Sequence, residues 1–222
     1  MSETENKTKP SGIIAFLRSD TILGLLIATF SVLFAYVGYQ ATLIDAKSSE
    51  FELSGERVLS VASREYLDAG QNVLFDMGAY DNYYAQLDVD DDAADNYYAS
   101  FSDQLVENLE DPSREFLFDD RYHDEMFAYS DVCYIEADEM FILGEAVGEV
   151  ADKHQLIMFI FAIGLALTAW ASLLPDDSSI RLVFVIFSLV VLVVGLILYL
   201  PLATSATGFP ANTAAIGLSC LN

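Results

Sequence analysis

The chain of 222 residues is 54% hydrophobic, yet it carries 34 acidic against 10 basic side chains, a formal charge of −24. Those tendencies occupy different segments: residues 41–154 hold 29 Asp/Glu and 6 Lys/Arg, a net −23, and the remainder is nearly neutral and apolar. Nucleic acid is excluded as a partner, because phosphate binding needs clustered Lys/Arg, and two cysteines exclude a disulfide-stapled mini-protein.

Residues 1–21 read as a short tail bearing Lys7, Lys9 and Arg18. Residues 22–40 then run without a charge, and 19 residues at about 1.5 Å each cover about 28 Å, close to a bilayer core. This run is longer than the apolar core of a signal peptide and no A-x-A site follows it, so a retained first transmembrane helix is expected.

Residues 41–155 form the acidic segment, and two helical stripes stand out in it. Leu59, Tyr66, Val73, Tyr80 and Leu87 repeat every seven residues, joined by Ala62, Ala69 and Tyr83, with Asp76 interrupting the seam of this short coiled coil. On the return, Met126, Tyr129, Cys133, Ala137, Met140, Gly144, Val147 and Ala151 step by three or four. Asp111-Pro112 predicts an N-cap with proline at the first helical position, starting the return helix near Ser113. Two arms of roughly 44 and 43 residues would each extend about 65 Å, and their equal lengths suit an antiparallel hairpin. The tip, about residues 85–112, carries an acidic turn and a short stripe from Tyr98 through Phe101, Leu105 and Leu109.

Residues 156–174 predict a second span and 182–202 a third, with Pro175 and Pro201 as expected helix ends. The seven-residue turn 175–181 makes these two spans antiparallel neighbours. The tail 203–222 has no basic residue, whereas Arg181 lies in the turn, so the positive-inside rule places the N-terminus in the cytoplasm of a multi-pass cell-membrane protein. Residues 41–155 and the C-terminus then lie outside. The predicted fold class is all-α: a membrane protein with three transmembrane helices and a long antiparallel helical hairpin between the first and second.

Few groups suggest chemistry. Asp88, Asp90, Asp92 and Asp95 resemble the opening of a calcium loop, because hard cations need several closely spaced oxygens. Ala93 stands where an EF-hand needs glycine, however, and Ala99 where it needs the bidentate glutamate, so a solvated acidic turn is the favoured reading. Asp120 and His123 have the i, i+3 relation of carboxylate-bridged metal sites, but a second such motif is missing. His154, beside Lys153 where the second span begins, reads as an interfacial anchor, and Cys133 as a buried thiol. No HExxH, CxxC or glycine-rich phosphate loop is present, so neither catalysis nor a cofactor is expected. The spans contain no ionisable Asp, Glu, Lys, Arg or His, which disfavours active transport.

The aromatic surplus is more informative. DNYY occurs at 81–84 and again at 95–98, and many Tyr and Phe lie off a single stripe, Phe75 and Phe116 among them. Two arms alone make a thin core, so Tyr83, Tyr84, Tyr97, Tyr98 and Phe101 are the expected interaction residues. The partners this predicts are the lipid bilayer and either a second copy or another membrane protein. The expected function is that of a non-enzymatic membrane subunit whose outer hairpin mediates assembly. An oligomeric cation channel with an acidic outer vestibule is the alternative, and a membrane-anchored sensor the third reading. With only four lysines, the acid excess also suits a surface exposed to high salt, as in halophilic proteins.

The junction FAYVGYQATLIDAKSSE at 34–50, the tyrosine-bearing helix through Tyr66 and Tyr80 to Tyr84, and AVGEVADKHQ at 146–155 resemble an uncharacterised family of small prokaryotic three-span membrane proteins. That resemblance implies the same helical plan. It implies no activity and supplies no functional residues.

Overall fold

The computed structural model describes residues 12–17, 19–114, 116–176, 178–205 and 219–220. Lys7, Lys9, Arg18 and most of the C-terminal tail, which bear on the expected orientation, lie outside the described residues. Every regular element among the described residues is a helix: α1 Gly12–Leu17, α2 Asp20–Gln86, α3 Asp91–Tyr98, α4 Asp103–Glu110, α5 Asp120–Ser172 and α6 Ser179–Ser205. The chain divides into two compact units. One comprises Met1–Ser49 with Gly144–Ala211, the other Glu50–Leu143 with Asn212–Asn222.

In the first unit the opening part of α2, the closing part of α5 and all of α6 pack together, with α1 against α6. Phe30, Val37, Ile157 and Phe161 form one buried cluster, and Leu23, Leu26, Ala171 and Val185 another. The Phe30 and Phe161 rings lie 6.3 Å apart. Two glycines make room for them: a Cβ on Gly164 would strike the Phe30 ring, and one on Gly195 would strike Phe161. Thr168 Oγ1 donates to the Gly164 carbonyl at 2.7 Å and so needs no partner from another helix.

The most apolar windows of α2, α5 and α6 are only 22%, 28% and 17% buried, so most of their apolar side chains face outward. Val183, Phe187, Val190 and Ile197 are among these on α6. An outward apolar surface of that extent suits hydrocarbon and not water. All three helices are long and apolar enough to cross a membrane. The third runs on through Pro201 to Ser205, where the sequence predicted its end at the proline. Proline lacks the N–H that would serve the Ile197 carbonyl, but its fixed φ is helical and only Leu202–Ser205 follow it.

Arg181 fastens the turn before α6. Its side chain is 2% exposed and donates to the Leu174 carbonyl at 2.9 Å, to Asp20 at 2.5 Å and to Asp176. His154 is also inside: it is 1% exposed, its Nδ1 lies 2.8 Å from the Val150 carbonyl and its ring meets Tyr199 edge-on at 6.0 Å. The residue expected as an interfacial anchor thus lies inside the bundle, because Tyr199 of α6 covers this face of α5.

In the second unit the buried line on α2 runs through Phe51, Ser54, Val58, Ala62, Ala69, Val73, Asp76 and Ala79. The seven-residue reading is corrected at three of its five positions: Leu59, Tyr66 and Leu87 are exposed, with Val58 taking the inner place of Leu59. A straight helix of 3.6 residues per turn drifts from a strict seven-residue repeat. On α5, Cys133, Ala137 and Met140 are buried as expected, as are Val147 and Ala151 within the first unit, whereas Ser130 replaces Tyr129. Gly55 admits the Phe141 ring, Val58 and Ala62 meet Cys133 and Ala137, and the Tyr66 ring lies 4.8 Å from Phe127.

The cysteines give the largest departure from the sequence reading. Cys133 is not a thiol but is bonded to Cys220 across a separation of 87 residues. Glu136 reinforces the junction by accepting from Ser219 N at 3.1 Å, Cys220 N at 3.2 Å and Ser219 Oγ.

Candidate interaction site at the helical tip

The tip is organised by a buried carboxylate. Asp76 is 1% exposed and accepts from Ser102 N at 2.9 Å, from Ser102 Oγ and from Tyr122 Oη at 2.7 Å. Ser102 is itself the N-cap of α4, its Oγ accepting from Leu105 N at 3.2 Å. One side chain of α2 thus fixes the start of α4 and the first turn of α5. The residue that interrupts the apolar seam in the sequence is a polar anchor of this unit. Burial, and then the bond to Asp76, push the Tyr122 phenol well above its ordinary value.

Around this anchor Val73, Ala79, Phe101, Leu105 and Tyr122 form the tip core. Tyr80 packs 6.0 Å from Phe118 and 6.3 Å from Phe101, and Tyr83 lies 5.6 Å from Phe101. Of the five expected interaction residues, Phe101 is buried and Tyr83 and Tyr98 pack on it, so Phe101 is corrected to a core residue. Tyr84, Tyr97 and Tyr98 remain outward, at 70%, 37% and 38% exposure, Tyr98 with one face on Phe101.

The return helix starts later than expected. Asp111 does not cap a helix at Ser113; it ends α4, and its Oδ1 accepts from Ser113 N at 2.9 Å and Ser113 Oγ at 2.6 Å. Those bonds, with Arg114 and Arg121 beside it, hold the Asp111 carboxyl below its usual range. The cap of α5 is Asp119, whose Oδ1 accepts from Tyr122 N at 2.9 Å. Between the two caps Arg114 is drawn inside, its side chain 4% exposed and 3.2 Å from Asp119 and 3.3 Å from Glu125.

The acidic turn has a structural task. Asp90 caps α3 by accepting from Ala93 N at 3.2 Å, and Asp91 and Asp92 occupy the first turn, where carboxylates favour the helix dipole. Asp88, Asp90, Asp92 and Asp95 do not converge, and no group of three or more His, Cys, Asp or Glu is placed to hold a metal among the described residues. His123 stacks on Phe127 at 6.4 Å.

The concave surface of the tip is a groove of about 530 Å³ between α2 and α3, with Leu74, Phe75, Gly78, Asn82, Asn96 and Tyr97 in its lining. Leu74 and Phe75 are 70% and 61% exposed, and a Cβ at Gly78 would meet nothing within 4 Å. Sequence reasoning placed Phe75 in the aromatic surplus but missed Leu74 and Gly78, since periodicity shows which residues leave the seam and not which of them line a concavity.

The molecule is therefore an all-helical protein with three helices long and apolar enough to cross a membrane. Compared with known proteins, it matches no family model, no curated protein and no solved structure.

Proposed function

We propose that this protein is a non-enzymatic, multi-pass membrane subunit whose segment between the first and second spans forms an antiparallel hairpin that docks another protein through its tip. The observation that carries this reading is the groove flanked by exposed Leu74 and Phe75. Apolar side chains of that size beside a concavity favour a partner that removes them from water. The partner is a membrane protein, either a second copy of the chain or a component of a larger complex.

The segment and the C-terminal tail face outside, and the N-terminus faces the cytoplasm. In a three-span chain the first loop and the tail share a side, and the Cys133–Cys220 bond joins those two segments. Disulfides persist in oxidising compartments, which supports the outer side.

A photoactivatable residue at Phe75, irradiated in native membranes, is expected to give one discrete crosslinked product. The same probe at exposed Asp131, on α5, is expected to give none. Equal, diffuse crosslinking from both positions would overturn the assignment of the tip.

A further inference from the structure

A second concavity lies in the first unit, between α2, α5 and α6. It measures about 390 Å³ and is lined by Tyr36, Gln40 and Lys47 of α2, His154 of α5 and Tyr199 of α6, with Leu43 among its apolar walls. These polar groups come from positions where the three apolar runs end: Gln40 closes the first, His154 precedes the second and Tyr199 stands near the end of the third. Helices packed side by side bring those ends to one level, the depth at which lipid headgroups meet the acyl region.

We propose that this recess binds the phosphate-bearing headgroup of an anionic lipid. The inference rests on the membrane placement proposed above but not on the docking role of the tip. Lys47 supplies the charge. Lys153, Arg64, Arg114, Arg121 and Arg181 each pair with a carboxylate, whereas Lys47, like Arg57 of the second unit, makes no ion pair among the described residues.

His154 supplies the second observation. It is 1% exposed, and bonding of its Nδ1 to the Val150 carbonyl requires the proton on that nitrogen. With the proton on Nδ1, Nε2 is the acceptor nitrogen of the ring. An imidazole in the lining of a recess, with its acceptor nitrogen left by the Nδ1 bond, is suited to accept from a headgroup hydroxyl, while the Lys47 ammonium takes the phosphate oxygen. The Tyr36 and Tyr199 rings meet edge-on at 6.3 Å, and their hydroxyls and the Gln40 amide add uncharged donors to the same wall. Leu43 offers an apolar surface to the glycerol and first methylenes.

The surrounding charge selects the source of the phosphate. Asp45, Glu50 and Asp152 stand on the same stretches of α2 and α5, within a segment of net −23, so an anion arriving from solution is repelled. A lipid phosphate is delivered in the plane of the bilayer and held there by its acyl chains. Tyr39, 61% exposed, has the outward position of an ordinary interfacial aromatic, which separates it from the inward Tyr199 and His154.

The test uses the full chain in mild detergent, titrated with phosphatidylglycerol, phosphatidylcholine or inorganic phosphate and read by native mass spectrometry and thermal stability. Wild type is expected to retain one phosphatidylglycerol and to melt higher with it, with little response to phosphatidylcholine or inorganic phosphate. Lys47→Gln is expected to bind phosphatidylglycerol about tenfold more weakly, and Tyr199→Phe to weaken it less. Lys153→Gln makes the same charge change at a lysine already paired with Glu149, and is expected to bind as wild type does. Equal retention by wild type and Lys47→Gln, or equal loss in the two lysine variants, would overturn the site. Stabilisation by inorganic phosphate alone would overturn the lipid assignment. A chain that stays soluble and monodisperse without detergent would refute the membrane placement itself, and loss of crosslinking at Phe75 with lipid binding intact would refute only the docking role.

Discussion

The Tyr122 hydroxyl donates a 2.7 Å hydrogen bond to Asp76 Oδ2 across 46 residues of chain. Ser102 donates to the same carboxylate through its backbone N–H and its hydroxyl, so one buried acid ties α2 to α4 and α5. A buried carboxylate is costly unless its oxygens are satisfied, and its removal strands the donors that faced it.

Asp76→Ala is therefore expected to destabilise the second unit by about 3–5 kcal/mol, with several charge-assisted hydrogen bonds lost together. Tyr122→Phe, which removes one donor and keeps the ring, is expected to cost about 1.5–2 kcal/mol. Thermal melting of the two single variants and the double variant measures this, and non-additive losses are the sign of a shared network.

Tyr122 also predicts a response to alkali. Its phenol is raised above 10.0 in the folded state, so the neutral form is favoured there. The associated stability is full below the unfolded value and is lost as pH rises through the folded one. Spectrophotometric titration above pH 10 is expected to leave Tyr122 protonated until unfolding, and Tyr122→Phe is expected to lower the number of late-titrating tyrosines by one.

Cleaving the Cys133–Cys220 bond releases a long loop and is expected to cost about 4 kcal/mol. Before reduction a thiol reagent is expected to label neither cysteine, and after reduction both. Labelling of both in protein denatured without reductant would contradict the bond and the outer placement that it supports.

At Glu136 burial alone would raise the carboxyl, but the hydrogen bonds from Ser219 and Cys220 outweigh it and hold the group below its ordinary 4.5. The contribution is present above that value and is lost as pH falls through the lower folded one. Hydrogen exchange at Ser219 and Cys220 is expected to quicken relative to the α5 core as pH drops below about 4. Glu136→Gln is expected to show the faster exchange already at neutral pH, at a stability cost of ~1 kcal/mol or less, because the site is partly exposed.

Within the first unit Gly164→Ala and Gly195→Ala are each expected to lower stability by about 1–3 kcal/mol, because the added methyl meets a Phe ring packed in the core. Gly24→Ala, where a Cβ meets nothing within 4 Å, is the control and is expected to be neutral or mildly stabilising. Melting temperatures in detergent check all three.

The three apolar runs and the return stripe from Cys133 to Ala151 were legible in the sequence because each is a long signal with one dominant cause, the removal of apolar surface from water. The tip was not. Asp76 looks like an interruption until Ser102 and Tyr122 are known to reach it, and those partners are 26 and 46 residues away. Asp111 has the sequence of a helix cap but spends its oxygen on Ser113, leaving the cap of α5 to Asp119. The disulfide escaped for the same reason, since spacing alone cannot bring Cys220 to Cys133. Phe101 and Tyr84 are both tip aromatics, and only the packing shows that the first is core and the second surface.

The central claim is that this chain works as part of an assembly, and the mass of the particle extracted from native membranes under mild, high-salt conditions tests it most directly. Native mass spectrometry is expected to give either a multiple of 24.5 kDa or a stoichiometric complex with a different membrane protein, dissociated by Phe75→Glu. A single 24.5 kDa chain carrying no protein partner, unchanged by Phe75→Glu, would contradict the account.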